Sequence, residues 1–221
     1  MDSSDSSALR LDGPVLVVGD GRMGRALVAA LSAADVPVQG PAGRGESGAD
    51  AGIVLLAVPD AAIRVASRAI APGRLVGHLS GALDLSPLHP HEAFSIHPLT
   101  TVTGEGAAFA GVTAALAGAT PRARAAAAAL AAVLGMTGVV VRDEDRAAYH
   151  AAASVAANFL VTLEGLAEQL AATAGVDREA LVPLVRAAVD NWASRGAAGA
   201  LTGPVSRGDA ATVARQRAAV A

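Results

Sequence analysis

The chain has 221 residues, a formal net charge of −3, 52% hydrophobic residues and a mean hydropathy of +0.45. That is length for one large domain or two modest ones, with enough apolar content to fill a core. The small net charge and 2% aromatic content exclude a basic or base-stacking nucleic-acid surface and any bulk attraction to an anionic membrane. Cysteine is absent, so disulfides, thiol nucleophiles and zinc–thiolate sites are excluded. Lysine is absent as well, which removes Schiff-base and lysine-acid chemistry.

Residues 1–12 are polar and acidic and lack the basic and apolar regions of a signal peptide. They predict a disordered lead and a cytoplasmic protein. The next segment is the most informative one. An apolar run from Val15 to Val18 breaks into Gly19-Asp20-Gly21-Arg22-Met23-Gly24 and resumes at helical spacing. In this G-x-G-x-x-G pattern Gly19 permits a tight turn off the strand. Gly21 lets a pyrophosphate approach the backbone, with Arg22 and Met23 beside it. Gly24 lets the helix pack close to the strand, and the helix N-terminus offers free N–H groups to phosphate. The pattern alone is weak; a strand before it and a helix after it make it specific.

Short apolar runs then alternate with helical patterns. Strands are predicted over 14–18, 36–39, 53–58, 75–79, 94–96, 112–117 and 137–141, and helices over 23–33, 61–70 and 121–134. The alternation means βαβ units and a largely parallel sheet. Ile53 to Val58 is apolar throughout, as a strand buried on both faces should be. The uncharged run 125–141 is short for a membrane span and is interrupted by Gly135 and Gly138, so it reads as a helix followed by a buried strand. After Val141 the pattern is all helical. Asp143 or Asp145 caps a helix that runs to about Ala174, where Gly175 stops it. Asp177 starts another helix, which Pro183 kinks. A glycine-rich loop over 196–203 follows, and Asp209 caps a last helix. The fold class is therefore α/β: an N-terminal Rossmann-type parallel sheet over 13–142, followed by an all-helical substrate and dimerisation domain over 143–221.

The end of the second strand selects the nicotinamide cofactor. A carboxylate there would accept from the ribose hydroxyls. This chain instead reads Gln39-Gly40-Pro41-Ala42-Gly43-Arg44, and Arg44 can pair with a 2′-phosphate through its guanidinium fork, with Arg22 assisting. NADP(H) is therefore expected rather than NAD. Ala57, Val58 and Pro59 end the third strand at the sheet's carboxyl edge and line the cofactor; Asp60 is expected to cap the next helix.

Candidate chemistry is sparse. Ser80 and Gly81 follow the fourth strand, beside the nicotinamide. They either hold a substrate carbonyl or carboxylate, or form a turn in which Ser80 bonds its own backbone. His97 precedes Pro98 at a strand end and either donates a proton to the reduced centre or is structural. His89 and His91 are expected at the surface, and no carboxylate has metal-ligand spacing with them, so no metal is expected. His150, Ser154 and Asn158, next to Tyr149, repeat every four residues and form a polar stripe on an alanine-rich helix. If the stripe faces the cleft, His150 and Asn158 become substrate ligands and His150 a second proton donor; otherwise it packs across a dimer interface. Arg207 either binds an anionic substrate or forms a structural ion pair.

GDGRMGRAL, LLAVPDAAI, GHLSGA, FSIHPLTT and ALTGPVSRGDAATV occur in this order. Together they resemble the Rossmann-like proteins with a C-terminal domain of unknown function, family 2520. That group is similar to pyrroline-5-carboxylate reductase and the deazaflavin-dependent NADP reductases. The resemblance implies an NADP(H)-binding domain, a helical domain that dimerises, and an oxidoreductase of unsettled substrate. It also implies that members continue beyond this chain's last residue, leaving the last helix incomplete. The combined expectation is an NADP-dependent oxidoreductase moving hydride to or from a small, anionic carbonyl or imine. The alternatives are deazaflavin–NADP hydride exchange and a non-catalytic NADPH-binding protein.

Overall fold

The computed structural model describes residues 13–103 and 107–220; the lead expected over 1–12 lies outside them. The described residues fall into two compact units, divided between Ser154 and Val155.

In the first unit β1 (Val15–Val18) and β3 (Ile53–Leu56) are buried along their whole length. Such strands need apolar side chains on both faces. Val15, Val17, Ile53 and Leu55 face one core, with Leu27 and Leu31 of α1 (Arg22–Ala33) and Leu130 of α3 (Pro121–Val133). Leu16, Val18, Val54 and Leu56 face the other, with Ile63 and Ala66 of α2 (Asp60–Ala69). The two-residue period of a strand thus divides the sheet between two helical layers.

The remaining strands are β2 (Val38–Ala42), β4 (Leu75–His78), β5 (Glu92–Pro98), β6 (Thr113–Gly118) and β7 (Thr137–Val140), giving the order β2-β1-β3-β4-β5-β6-β7. Neighbours pair in parallel except β5 with β6. No helix occurs among the described residues of the 99–112 connection, and without a helical crossover the chain returns antiparallel. The chain leaves β1 for β2 on one side and then crosses to β3 on the other. This reversal opens a crevice above the carboxyl ends of β1 and β3, the place where open α/β sheets bind ligands.

Three strands differ from expectation. β7, expected to be buried, is exposed along its whole length because it is the edge strand of the sheet. β5 extends beyond 94–96 because its ladder with β6 runs from Phe94↔Gly118 to Pro98↔Ala114. β2 lies later than 36–39 and includes Gly40, whose φ is +111 and whose missing Cβ would stand 2.5 Å from the Val17 carbonyl oxygen. Its edge position tolerates Pro41.

α4 (Arg146–Ser154) belongs to the first unit. The second unit holds a π-helical turn at Val155–Phe159, then α5 (Leu160–Thr173), α6 (Arg178–Ala200) and α7 (Ala210–Val220). The loop expected from residue 196 is helical to Ala200, broken only at Gly196 (φ 69, ψ 172). Asp209 caps α7 as expected, its Oδ1 accepting from the Thr212 amide at 3.0 Å. No residue from Val155 to Val220 is buried, and Phe159, Leu163, Leu184 and Trp192 are exposed. No helix among the described residues is long and apolar enough to cross a membrane.

Candidate active site

The turn after β1 fits a diphosphate on geometric grounds. Gly19 has φ +120, and a Cβ there would lie 2.3 Å from the Ala57 carbonyl oxygen. A Cβ on Gly24 would lie 1.8 Å from the Gly19 carbonyl oxygen, so only glycine lets α1 seat this close to the strand. A Cβ on Gly21 would meet nothing within 4 Å. Gly21 is the N-cap of α1, the first-turn amides have no helical acceptor, and the first turn carries no acidic residue. Asp20 is the nearest carboxylate in sequence, and Arg25 holds it in an ion pair at 2.8 Å. Gly21, Arg22, Met23, Ala57, Val58, Pro59 and Ser80 line one cleft of about 450 Å³, joined by Asp60, Leu79 and Val102.

Arg44 lines an adjoining hollow with Pro59, Ala61, Ala62 and Val65. Neither Arg22 nor Arg44 is hydrogen-bonded or ion-paired among the described residues. The two hollows share Pro59, and their unengaged guanidinium groups are suitable donors for an additional phosphoryl group.

At the start of α2 and in the loop after β4, Asp60 and Gly81 differ from expectation, and Ser80 takes the second of its two expected readings, the turn. Pro59, not Asp60, is the N-cap of α2; Asp60 is its first helical residue, and its Oδ2 accepts from the Ser80 hydroxyl at 2.8 Å. The Ser80 oxygen in turn accepts from the amides of Ala82 (3.2 Å) and Leu83 (3.0 Å). A serine hydroxyl has one donor and two acceptor positions, and all three are used. Ser80 therefore lines the cleft and braces the loop, and its hydroxyl has no proton left for a substrate. Gly81 is buried, and its side-chain space is filled by the His97 ring, which a Cβ would meet at 2.7–2.9 Å. Its lack of a side chain serves His97 rather than a ligand.

Buried His78 fixes the same loop from below. Its Nδ1 accepts from the Ser80 amide (3.2 Å), which leaves the proton on Nε2 to donate to the Asp84 carbonyl (2.9 Å). Burial pushes the His78 pKa below 6.5, although the bond to Asp84 opposes this.

His97, on the carboxyl end of β5, stands at the centre of the polar cluster. Its Nδ1 lies 2.9 Å from the Tyr149 hydroxyl, and the two rings meet edge to face at 5.5 Å. The His150 ring is 6.2 Å away. Burial, and then the charge of His150, pull the His97 pKa down to about 4; Asp60 opposes, and Arg146 and His78 reinforce. Burial raises the Tyr149 pKa, with Arg146 pulling the other way. Both side chains are neutral at pH 7.

Arg146 was not indicated by the sequence. It is 3% exposed; its Nε donates to Asp143 (2.8 Å) and an Nη to buried Ser95 (3.4 Å). A lone arginine at a helix start carries no signal of burial; only the packing of α4 onto β5 reveals it. Tyr149 likewise carries no local signal of the ring it meets.

The polar stripe is not continuous. His150 reaches His97, but the π turn at Val155–Phe159 breaks the four-residue register. Asn158 is exposed in that turn within the second unit, its carbonyl accepting from Thr162. His91 is half-buried rather than superficial, with Nε2 at 2.8 Å from the Ser67 carbonyl oxygen. Arg207 is exposed.

Residues 112–221 match the family model described as a domain of unknown function, DUF2520. The fold is similar to a Bacteroides fragilis protein provisionally described as an NADP oxidoreductase (TM-score 0.80, 17% identity, 93% of this chain and 90% of that one). It is also similar to a Thermotoga maritima protein (0.72, 25%, 92% and 88%). A third similar structure is a Plasmodium falciparum pyrroline carboxylate reductase with NADP bound (0.60, 13%, 82% and 79%). No curated protein matches the chain in sequence. The fold is thus Rossmann-like, and residues 112–221 match the model of the domain of unknown function DUF2520.

Proposed function

We propose that the chain is an NADP(H)-dependent oxidoreductase acting on a small, anionic carbonyl or imine. The observation that carries this reading is the recess at Gly21, open where a side chain would stand and lined by the unengaged Arg22, with the unengaged Arg44 in a neighbouring hollow that shares Pro59. The pyrroline carboxylate reductase of similar fold, solved with NADP, supports it.

When bound, the reduced dinucleotide supplies hydride. Gly21 and the first-turn amides of α1 hold the diphosphate, and Arg22 and Arg44 hold the 2′-phosphate. Ala57, Val58 and Pro59 shape the wall along which the nucleotide lies. His97 donates a proton from Nε2 to the atom beside the reduced carbon, and His150 adds a polar group at the same edge. Arg146, ion-paired with Asp143 and bonded to Ser95, fixes the start of α4 beside β5. An imine requires less acid assistance than a ketone, which suits a chain without lysine.

The second unit pairs with a second copy of this chain. Helices with no buried residue and exposed Phe159, Leu163, Leu184 and Trp192 have apolar surface to cover, at about 25 cal/mol per Å².

Calorimetric titration of the full chain with NADPH, NADP, NADH and NAD tests the cofactor assignment. NADPH and NADP should bind at least tenfold more tightly than their non-phosphorylated counterparts. No uptake of any of the four would overturn the proposal.

A further inference from the structure

We infer that Tyr149 is a positioning residue for His97: its hydroxyl donates into Nδ1, fixes the imidazole proton on Nε2, and replaces that proton when Nε2 gives it up. This rests on the proton-transfer role proposed for His97 above.

The geometry selects between two arrangements. A neutral imidazole carries one proton, on either nitrogen. The Nδ1–Oη distance of 2.9 Å is a hydrogen bond in either case. If Nδ1 donated to the phenol oxygen, the phenol proton would have no acceptor among the described residues, and Nε2 would be a bare lone pair. If the phenol donates to Nδ1, its proton is placed, and the one unused donor of the pair is Nε2–H. That nitrogen has no hydrogen-bond partner among the described residues. The ring fills the space where a Gly81 side chain would stand. Gly81 adjoins Ser80, which lines the cleft.

The charges around the pair keep the imidazole neutral. His150 and Arg146 from α4 and His78 from β4 all disfavour an imidazolium, and Asp60 from α2 only partly offsets them. A histidine kept neutral is a weak proton donor alone, so a second proton behind it matters. In the transfer, the Nε2–H bond breaks as the substrate's O–H or N–H bond forms, and hydride from the reduced nicotinamide class of cofactor reaches the adjacent carbon. The Tyr149 O–H bond breaks as Nδ1–H forms. The resulting phenolate lies near the Arg146 guanidinium, which favours the ionised phenol; the proton then returns from Nδ1 to the phenolate as Nε2 takes one from water, which restores the resting tautomer.

The test needs no turnover. Histidine-labelled full-length protein is examined at pH 7 by nitrogen-15 NMR, wild type beside Tyr149→Phe. The expected result is a His97 signal at least tenfold in favour of Nε2–H in the wild type, falling to a mixture in the variant. Tyr149 is the chain's one tyrosine, so ultraviolet difference absorbance reads its ionisation directly, expected above the ordinary phenol range. A wild-type His97 protonated on Nδ1 would overturn the inference whether or not the variant folds. An unchanged tautomer in a folded Tyr149→Phe protein would also overturn it. Failure to bind NADPH would refute the cofactor assignment and leave the tautomer result standing.

Discussion

The two glycines of the first turn separate folding from binding, and one pair of substitutions tests that separation. In Gly24→Ala the new methyl would stand 1.8 Å from the Gly19 carbonyl oxygen. The obstacle is backbone, so α1 must retreat by roughly an ångström or more. Alanine recovers about 1 kcal/mol of helix propensity, against about 1–3 kcal/mol or more for overpacking. The clash dominates, and a net loss of about 1–2 kcal/mol should lower Tm by roughly 2–8 °C. In Gly21→Ala the methyl meets nothing within 4 Å, and the backbone (φ −86, ψ −178) suits any residue. Restricting the unfolded chain gains about 0.4–1 kcal/mol; a weaker N-cap loses about the same. Tm should hardly move. The methyl does occupy the space where phosphate oxygens would meet the amides. Losing one charge-assisted bond, about 1.5–3 kcal/mol, weakens NADPH roughly 10- to 150-fold. Thermal melts and calorimetric Kd values on the same samples read both effects. A Gly21→Ala protein that binds NADPH within twofold of wild type, or a Gly24→Ala protein with unchanged Tm, would refute the reasoning.

Four further outcomes are expected. Arg44→Asp should weaken NADPH binding at least tenfold and leave NADH binding unchanged or improved; equal loss for both would remove Arg44 from phosphate recognition. Ser80→Ala strands the Ala82 and Leu83 amides and should cost about 1–3 kcal/mol, read as a lower urea midpoint; an unchanged midpoint would contradict the bracing role. His97 and His78 have folded pKa values below the unfolded 6.5, so the unfolded chain binds protons first as pH falls. Their contribution to stability is complete above pH 6.5 and declines from there toward pH 4, the folded value of His97. Denaturant unfolding across that range should show the decline, and a His97→Asn protein should show a shallower one; identical slopes would exclude His97 as a contributor. Trp192→Glu should convert a dimer to a monomer in light scattering, and an unaltered mass would place the interface elsewhere.

Much of the architecture was legible in local pattern. Continuous apolar runs such as Ile53–Leu56 had to be buried on both faces, and Gly19, Gly21 and Gly24 had to form a phosphate turn. Backbone conformation and side-chain period act over a few residues, so sequence suffices for them. What could not be read were meetings between distant segments. Ser80 reaches Asp60 only because β3 and β4 are neighbours, and Gly81 is bare because β5 brings His97 against it. Arg146 and Tyr149 look like ordinary residues of a helix start until α4 packs onto β5. The sequence determined which elements form and where a dinucleotide's phosphates would sit. Only tertiary structure decided which polar side chains were already spent on one another and which, like Nε2 of His97, remained available. Hydrogen-bond partners are set by through-space distances of about 3 Å, and separation along the chain does not encode them.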